Sequence, residues 1–227
     1  MKAMLLAAGR GERLRPLTDT LPKALVPVGG KPLIVRHLER LARAGCREAV
    51  VNVSYLGARI VEALGDGAAW GLRIEYSREA EPLETAGGIA QALRLLGPAP
   101  FLLVNADIYC EFDVASLMRM ELGARLVHLV LVPNPPHRAE GDFALEGPAL
   151  RNAGAPRYTY AGIALVSPQL VAQVAPGEKA PLAPLLRRAA DAGAASAELY
   201  KGAWQDVGTL ARLAELESWL ASRHEDR

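Results

Sequence analysis

Short apolar runs alternate with amphipathic stretches along the first half of the chain. The apolar runs predict buried strands over residues 3–7, 48–53, 72–76 and 101–104. The amphipathic stretches between them predict helices over residues 31–44, 56–64 and 87–96. In the first helix, for example, Ile34, Leu38 and Leu41 form one apolar stripe. A strand–helix–strand series of this kind predicts a parallel sheet covered by helices on both faces.

The second half of the chain is less regular. Strands are predicted over residues 126–132, 158–166 and 204–207, and helices over residues 181–192 and 209–222. The segment over residues 134–154 is rich in proline and glycine, which is typical of excursions and antiparallel additions to a sheet. We therefore expect one α/β domain over residues 1–227, with a Rossmann-like, mixed but mainly parallel central sheet and helices on both faces.

The charge balance argues against several classes of protein. The chain carries 26 Lys and Arg against 25 Asp and Glu, a formal net charge of +1, which disfavours a nucleic-acid-binding or polybasic membrane-binding surface. The apolar N-terminal run of about seven residues is better explained as a buried strand than as a signal peptide. Two distant cysteines, Cys46 and Cys110, are typical of reduced interior thiols. We expect a cytoplasmic protein that binds neither nucleic acid nor membrane.

A glycine-rich loop follows the first predicted strand, at residues 6–18. The dinucleotide-binding fingerprint fails here, because Leu14 occupies the third glycine position and Pro16 would break the helix that must follow. The Walker A pattern fails because a proline follows Lys31. The loop carries three arginines, whose guanidinium groups suit phosphate oxygens, and Lys23 beyond it could add a point charge at a phosphoryl transition state. The alternative is a basic surface loop.

Five separated segments together resemble the sugar-1-phosphate nucleotidyltransferases. They are LAAGRGERLRPLT at 6–18, PKALVPVGGKPLI at 22–34, EPLETAGG at 81–88, LLVNAD at 102–107 and WQDVGT at 204–209. That family makes nucleoside-diphosphate sugars, so the resemblance implies a nucleoside triphosphate and a sugar 1-phosphate as substrates and Mg²⁺ as cofactor. Ala86 and Ala106 stand where related sequences are expected to have glycine, a departure that removes no charged participant.

The resemblance also implies which residues perform the reaction. Arg13, Lys23 and Asp107 are the expected catalytic residues, and Asp107 and Asp206 are expected to hold Mg²⁺ on the triphosphate. The residues expected to bind the nucleotide are Ala7, Ala8, Gly9, Gly11, Glu12, Arg13, Lys23, Glu81, Thr85 and Gly88. Magnesium is commonly bound by one or two carboxylates plus substrate phosphates, which two aspartates would satisfy. Considered alone, each aspartate could instead cap the helix that follows it.

The sugar is expected to bind mainly to the irregular second half. The expected sugar-binding residues are Asn105, Glu140, Gly141 and Asp142. Arg157 or Lys179 is a candidate partner for a carboxylate on the sugar. The resemblance thus divides the chain into a nucleotide-binding half, residues 1–110, and a sugar-binding half with a closing helix, residues 111–227.

Within the family, the segments are most similar to the uridylyltransferases that act on N-acetylmuramic acid α-1-phosphate in peptidoglycan recycling. The expected substrates are therefore UTP and that sugar 1-phosphate. Glucose 1-phosphate, mannose 1-phosphate and phosphocholine remain alternative acceptors, and a non-catalytic nucleotide-binding relative is a further alternative. The joint presence of Arg13, Lys23, Asp107 and Asp206 argues against the last, because a degenerate relative would be free to lose them.

Overall fold

The computed structural model describes residues 1–225, with side chains through Arg223. The strands are β1 (Ala3–Leu6), β2 (Pro27–Val28), β3 (Lys31–Pro32), β4 (Glu48–Val53), β5 (Arg73–Arg78), β6 (Phe101–Asn105), β7 (Ile108–Cys110), β8 (Val127–Val132), β9 (Phe143–Glu146), β10 (Ala149–Arg151), β11 (Arg157–Val166), β12 (Ala195–Leu199) and β13 (Trp204–Asp206). The α-helices are α1 (Leu33–Arg43), α2 (Gly57–Leu64), α3 (Glu84–Leu96), α4 (Val114–Met118), α5 (Ala183–Asp191) and α6 (Leu210–Glu225).

Nine of the described strands form one mixed sheet, in the order β5-β4-β1-β6-β11-β8-β12-β10-β9. β5, β4, β1 and β6 are parallel neighbours, as the repeated strand–helix pattern predicted. β11 is antiparallel to both β6 and β8, while β12 is parallel to β8. The predicted mixed, mainly parallel sheet is confirmed, because within this sheet only β11 and β10 run against the other seven described strands.

Helices cover both faces of this sheet, because alternate residues of its strands point in opposite directions. On one face, Leu5 of β1 belongs to the same buried cluster as Leu38 of α1 and Ile60 of α2. On the other face, Met4 clusters with Ile89 of α3 and with the apolar side of α5. Each large side chain buried in this way contributes roughly 1.5–3 kcal/mol, so the two apolar layers hold the strand ends in fixed positions.

Several element boundaries differ from the predicted ones. α1 begins at Leu33, because Lys31 and Pro32 instead pair with β2 in a short antiparallel hairpin. α3 begins at Glu84, one turn earlier than predicted. The Pro- and Gly-rich segment contains the antiparallel pair β9–β10, in line with the expected antiparallel additions. β7 and β12 were not predicted.

Two further features of the structure concern its cysteines and the length of its helices. Cys46 and Cys110 are buried free thiols, as expected, and burial raises the pKa of both. Within residues 1–225, no helix combines the length and the apolar composition that spanning a membrane would require.

Candidate active site

The carboxyl ends of the four parallel strands meet at one edge of the sheet. Leu6, at the end of β1, lies in register with Asn52 of β4 on one side and with Asn105 of β6 on the other. Ligands of open α/β sheets bind at this edge, so the side chains and loops that follow these strands define the candidate site.

Asn52 connects the loop after β1 to the turn before α3. Its Oδ1 accepts a hydrogen bond from the Ala7 N–H at 2.8 Å, and its Nδ2 donates to Glu79 Oε1 at 2.7 Å. Glu79 Oε2 in turn accepts from the Leu83 N–H at 3.0 Å. Gly88 makes room for this network, since a Cβ there would lie 2.8 Å from Glu79 Oε1. All these polar groups are therefore paired, and they fix the position of two loops relative to each other.

The loop after β1 returns Lys23 to the edge of the sheet. Gly11 has a φ of 67°, in the left-handed region that favours glycine, and a Cβ on it would lie 3.0 Å from Lys23 Cβ. The hydroxyl of Thr18 donates to the Gly11 carbonyl at 2.8 Å and closes the turn. Gly11 therefore allows the loop to pack directly on the lysine side chain, which is 14% exposed.

Lys23 forms an ion pair with Asp107, in which Nζ donates to Oδ2. The main chain around Asp107 is held from two sides. The Ala106 N–H donates to the Leu6 carbonyl at 3.1 Å, and the Val207 N–H donates to the Asp107 carbonyl at 2.9 Å. The structure therefore brings two of the predicted catalytic residues into direct contact.

His37 of α1 forms a hydrogen bond with the segment that follows Asp107. Its Nε2 lies 2.8 Å from the carbonyl oxygen of Ile108, the first residue of β7. Burial lowers the pKa of His37 to about 4, with the nearby Arg40 cation acting in the same direction. The imidazole is therefore neutral at physiological pH and donates its N–H to this carbonyl.

A cavity of about 240 Å³ opens above these groups. Of the residues predicted to bind nucleotide, sugar or metal, it is lined by Ala7, Ala8, Gly9, Gly11, Lys23, Thr85, Asn105 and Asp107. Asn52, Glu79 and Glu84 also line it. Three other residues predicted to bind the nucleotide do not line this cavity and are exposed: Glu12, Arg13 and Glu81. We call this space the first cavity.

Asp206 lies on β13, which pairs with β7 directly after Asp107. Its Oδ2 accepts from Arg212 Nη1 at 2.6 Å, and its Oδ1 lies 2.9 Å from His137 Nε2. The same His137 nitrogen lies 2.6 Å from Arg212 Nη1, which can only donate. Asp206 Oδ1 is thus buried with no hydrogen-bond donor among the described residues.

Asp107 and Asp206 are the candidate ligands of Mg²⁺. Asp107 and Asp206 lie on adjoining main-chain segments, and a buried carboxylate oxygen without a donor is a group that a cation would satisfy. Among the described residues, no cluster of three or more His, Cys, Asp or Glu could enclose a metal. A pair of carboxylates fits Mg²⁺, which keeps several waters and binds substrate phosphates as well.

Arg13 and Arg212 come together at Gly208. A Cβ on Gly208 would lie 2.3 Å from Arg212 Nη2 and 3.1 Å from Arg13 Nη2. The absence of a side chain at this glycine therefore leaves room for both guanidinium groups, of which that of Arg212 pairs with Asp206. Thr209, rather than Asp206, accepts from the Arg212 N–H at the start of α6, so the helix-capping alternative for Asp206 does not hold. Nor does it hold for Asp107, because Asp113 caps α4.

A second cavity, of about 440 Å³, adjoins the first. Glu84, Thr85 and Asn105 line both cavities, so the two cavities adjoin at these three residues. Glu84 has a φ of 60°, which costs a residue with a side chain about 1–2 kcal/mol, and this strain lies at the shared boundary. Gly162, in the bulge of β11, leaves room for the amide of Asn105, since a Cβ there would lie 2.8 Å from Asn105 Nδ2.

Asp142 is the other predicted sugar-binding residue that lines the second cavity. Its Oδ2 accepts from the Tyr160 N–H at 2.8 Å and from Arg138 Nη1 at 3.2 Å. Gly141 does not line it, but has a φ of 64° and lies so close to β11 that a Cβ would come 2.9 Å from the Tyr158 nitrogen. Gly141 therefore allows the chain to bring Asp142 alongside β11.

The remaining sugar-side candidates lie outside both cavity linings. Arg157 donates from all three guanidinium nitrogens to main-chain carbonyls, those of Glu140, Asn152 and Asp142. Its guanidinium group therefore stabilises the loop, because each of its three nitrogens already donates to the main chain. Glu140 and Lys179 are exposed.

A model of the family described as nucleotidyl transferase matches residues 2–141. The chain belongs to this family. A protein of Neisseria meningitidis serogroup B, named N-acetylmuramate alpha-1-phosphate uridylyltransferase, is 48% identical over 96% of this nucleotidyltransferase and 97% of its own length. A mannose-1-phosphate guanyltransferase of Aspergillus fumigatus is 44% identical over 52% of this chain and 33% of its own.

Two solved structures have the same fold as this nucleotidyltransferase. One is described as a glucose-1-phosphate thymidylyltransferase of Bacillus anthracis in complex with a sucrose. It has a TM-score of 0.85 and 18% identity, and covers 96% of this chain and 94% of its own. The other is HddC of Yersinia pseudotuberculosis complexed with GMP-PN. Its TM-score is 0.76 at 20% identity, over 96% of this chain and 99% of its own.

Three side chains of this nucleotidyltransferase, those of Asn52, Glu79 and Arg212, were not predicted from the sequence. Asn52 is a polar residue inside an apolar strand, at the edge where ligands bind, and this contrast is a usable signal. Glu79 follows β5 at the same edge. Arg212 has no such signal, because charged residues on a terminal helix are usually solvated.

Proposed function

We propose that this nucleotidyltransferase transfers UMP from UTP to N-acetylmuramic acid α-1-phosphate, giving UDP-N-acetylmuramic acid and pyrophosphate, in peptidoglycan recycling. The observation that carries the proposal is the shared lining of the two cavities at Asn105, Glu84 and Thr85, with Lys23 and Asp107 in the first. Two substrates bound in adjoining cavities can meet without a covalent enzyme intermediate. The full-length similarity to the Neisseria protein supports this choice of sugar and base.

The reaction needs mainly positioning and charge stabilisation. A phosphate oxygen of the sugar 1-phosphate forms a bond to the α-phosphorus of UTP, and the bond from that phosphorus to the bridging oxygen breaks as pyrophosphate leaves in line. Asp107 and Asp206 would hold Mg²⁺, which when bound neutralises charge on the triphosphate. Lys23 supplies a cation near the reacting phosphates.

The arginines and the two halves of the chain have distinct proposed roles. Arg13 and Arg212, which meet at Gly208, would bind the outer phosphates that become pyrophosphate. Residues 1–110 would form the nucleotide-binding half and residues 111–227 the sugar-binding half with its closing helix. UTP is a cytoplasmic metabolite, so the proposed reaction belongs in the cytoplasm.

The test is pyrophosphate release with Mg²⁺ over a grid of substrates. UTP, TTP, CTP, GTP and ATP are each combined with the 1-phosphates of N-acetylmuramic acid, N-acetylglucosamine, glucose and mannose. We expect release with UTP and N-acetylmuramic acid α-1-phosphate well above every other pair. Strong release with a different pair would keep the reaction class and overturn the proposed substrates.

A further inference from the structure

The second cavity contains one guanidinium group with no carboxylate partner in the described part of the chain. Arg138 is paired with Asp142, whereas Arg187 forms no ion pair with any described side chain. The guanidinium carbon of Arg187 instead lies 5.3 Å from the centroid of the Phe143 ring, and Phe143 is buried. The ring holds the arginine over the cavity without neutralising it, so its positive charge is available to a ligand.

A second group in the same cavity lacks a partner. The hydroxyl of Tyr160, on β11, is buried and makes no hydrogen bond among the described residues. Burial raises the pKa of this phenol, which keeps it a neutral donor. Buried polar groups are nearly always hydrogen-bonded, so an unpaired hydroxyl in a cavity lining indicates a ligand that completes it.

The negative charges in this cavity do not cancel Arg187. Asp142 is occupied by Arg138 and the Tyr160 N–H, as described above. Glu84 lies at the boundary that the two cavities share. The lining of the second cavity therefore includes a guanidinium fork, on Arg187, and a buried hydroxyl without a partner among the described residues, on Tyr160. Both are donors, and a carboxylate has two oxygens that accept.

We propose that Arg187 binds a carboxylate on the sugar, with the Tyr160 hydroxyl as a second donor, and that this carboxylate is the lactyl group of N-acetylmuramic acid. This inference rests on the proposed function and assigns its sugar specificity to α5 and β11. It replaces Arg157, whose nitrogens all bind main-chain carbonyls, and the exposed Lys179 as the carboxylate partner. N-acetylglucosamine 1-phosphate has no lactyl group, so the same contact distinguishes the two sugars.

The test compares Arg187→Gln with Arg188→Gln, a neighbour that is also exposed but does not line the cavity. Steady-state pyrophosphate release should show the KM for N-acetylmuramic acid 1-phosphate raised by about tenfold to a hundredfold in Arg187→Gln, because a charge-assisted pair is lost. The KM for UTP should not change. Arg187→Lys should recover part of the loss, since it keeps the charge without the planar fork. Arg188→Gln should behave as the parent protein.

Tyr160→Phe provides an independent variant. Because the hydroxyl has no protein partner to lose, its removal should leave the free energy of unfolding in urea unchanged or higher, while the KM for the sugar phosphate rises. A purely structural hydroxyl would give the opposite result, a less stable protein with the same KM.

Failure of this inference is distinguishable from failure of the proposed function. If the parent protein releases pyrophosphate from N-acetylmuramic acid 1-phosphate and Arg187→Gln has the same KM, the assignment of Arg187 is wrong and the proposed function stands. If the parent protein neither binds this sugar phosphate in calorimetry nor turns it over, both are wrong.

Discussion

The two adjoining cavities differ in how their polar groups are satisfied. In the first, Asn52, Glu79, Lys23 and Asp107 bind one another or the backbone, so the lining is already arranged. In the second, Arg187 and the Tyr160 hydroxyl lack a hydrogen-bonding or carboxylate partner in the described chain. The polar groups of the first cavity are therefore pre-organised by the protein, whereas two groups of the second cavity are left for a ligand to pair.

This difference matches what each cavity must do. Phosphoryl transfer gains most from groups fixed before the substrate arrives, because reorganising them during the reaction would cost free energy. Choosing between similar sugars instead depends on polar groups that are left unpaired when the wrong sugar binds. Substitutions at the arranged groups therefore test this difference between the cavities.

Asp107→Asn should have the largest effect. The substitution keeps the side-chain shape but removes the charge that pairs with Lys23, and one proposed Mg²⁺ ligand. We expect kcat/KM in the pyrophosphate assay to fall by about a thousandfold. Asp113→Asn, which weakens only the cap of α4, is the matched control and should remain active. Activity above a tenth of the parent value in Asp107→Asn would contradict the role of this cavity in the chemistry.

Asn52→Ala should have the next largest effect, on stability as well as on binding. It leaves the Ala7 N–H and a buried Glu79 oxygen without partners, which costs about 2–3 kcal/mol of unfolding free energy. Urea denaturation measures this loss, and the KM for UTP should rise with it. In a cycle with Glu79→Ala, the double variant should lose less than the two single variants together. Strict additivity would show that the network does not act as a unit.

Gly208→Ala should have the smallest effect. A methyl group there would lie 2.3 Å from Arg212 Nη2, so the guanidinium must shift away from Asp206. We expect the KM for UTP to rise by about fivefold to tenfold, roughly one weakened hydrogen bond, while the KM for the sugar phosphate stays constant. In an Arg212→Ala background, Gly208→Ala should raise the KM for UTP little further, because the guanidinium group that it would displace is already absent.

Much of the fold could be predicted because hydrophobic periodicity reports burial directly. β4, with its run of apolar residues, was predicted at its observed bounds. β12 was missed because its sequence, ASAEL, consists of small and polar residues with no apolar contrast. β7 contains three residues, too few to establish a period. The start of α3 was placed late because residues 84–86 carry no apolar stripe.

The candidate site was harder to predict, because its contacts join residues far apart in the chain. Sequence motifs pointed to Lys23 and Asp107, which the structure brings together across 84 positions. They could not indicate that Gly88 acts by leaving space for Glu79 and Asn52. They also could not separate Arg187 from the other arginines, since only packing decides which guanidinium lacks a carboxylate.

The lining shared at Asn105, Glu84 and Thr85 has a thermodynamic consequence. A ligand in one cavity that changes the conformation of these three residues changes the affinity of the other cavity. Linkage requires the effect to be equal in both directions, so the factor by which nucleotide alters sugar-phosphate affinity is the factor by which sugar phosphate alters nucleotide affinity. Glu84, whose φ is 60°, lies at this boundary, so a substrate that holds its backbone in place would lower the ordering cost for the second substrate.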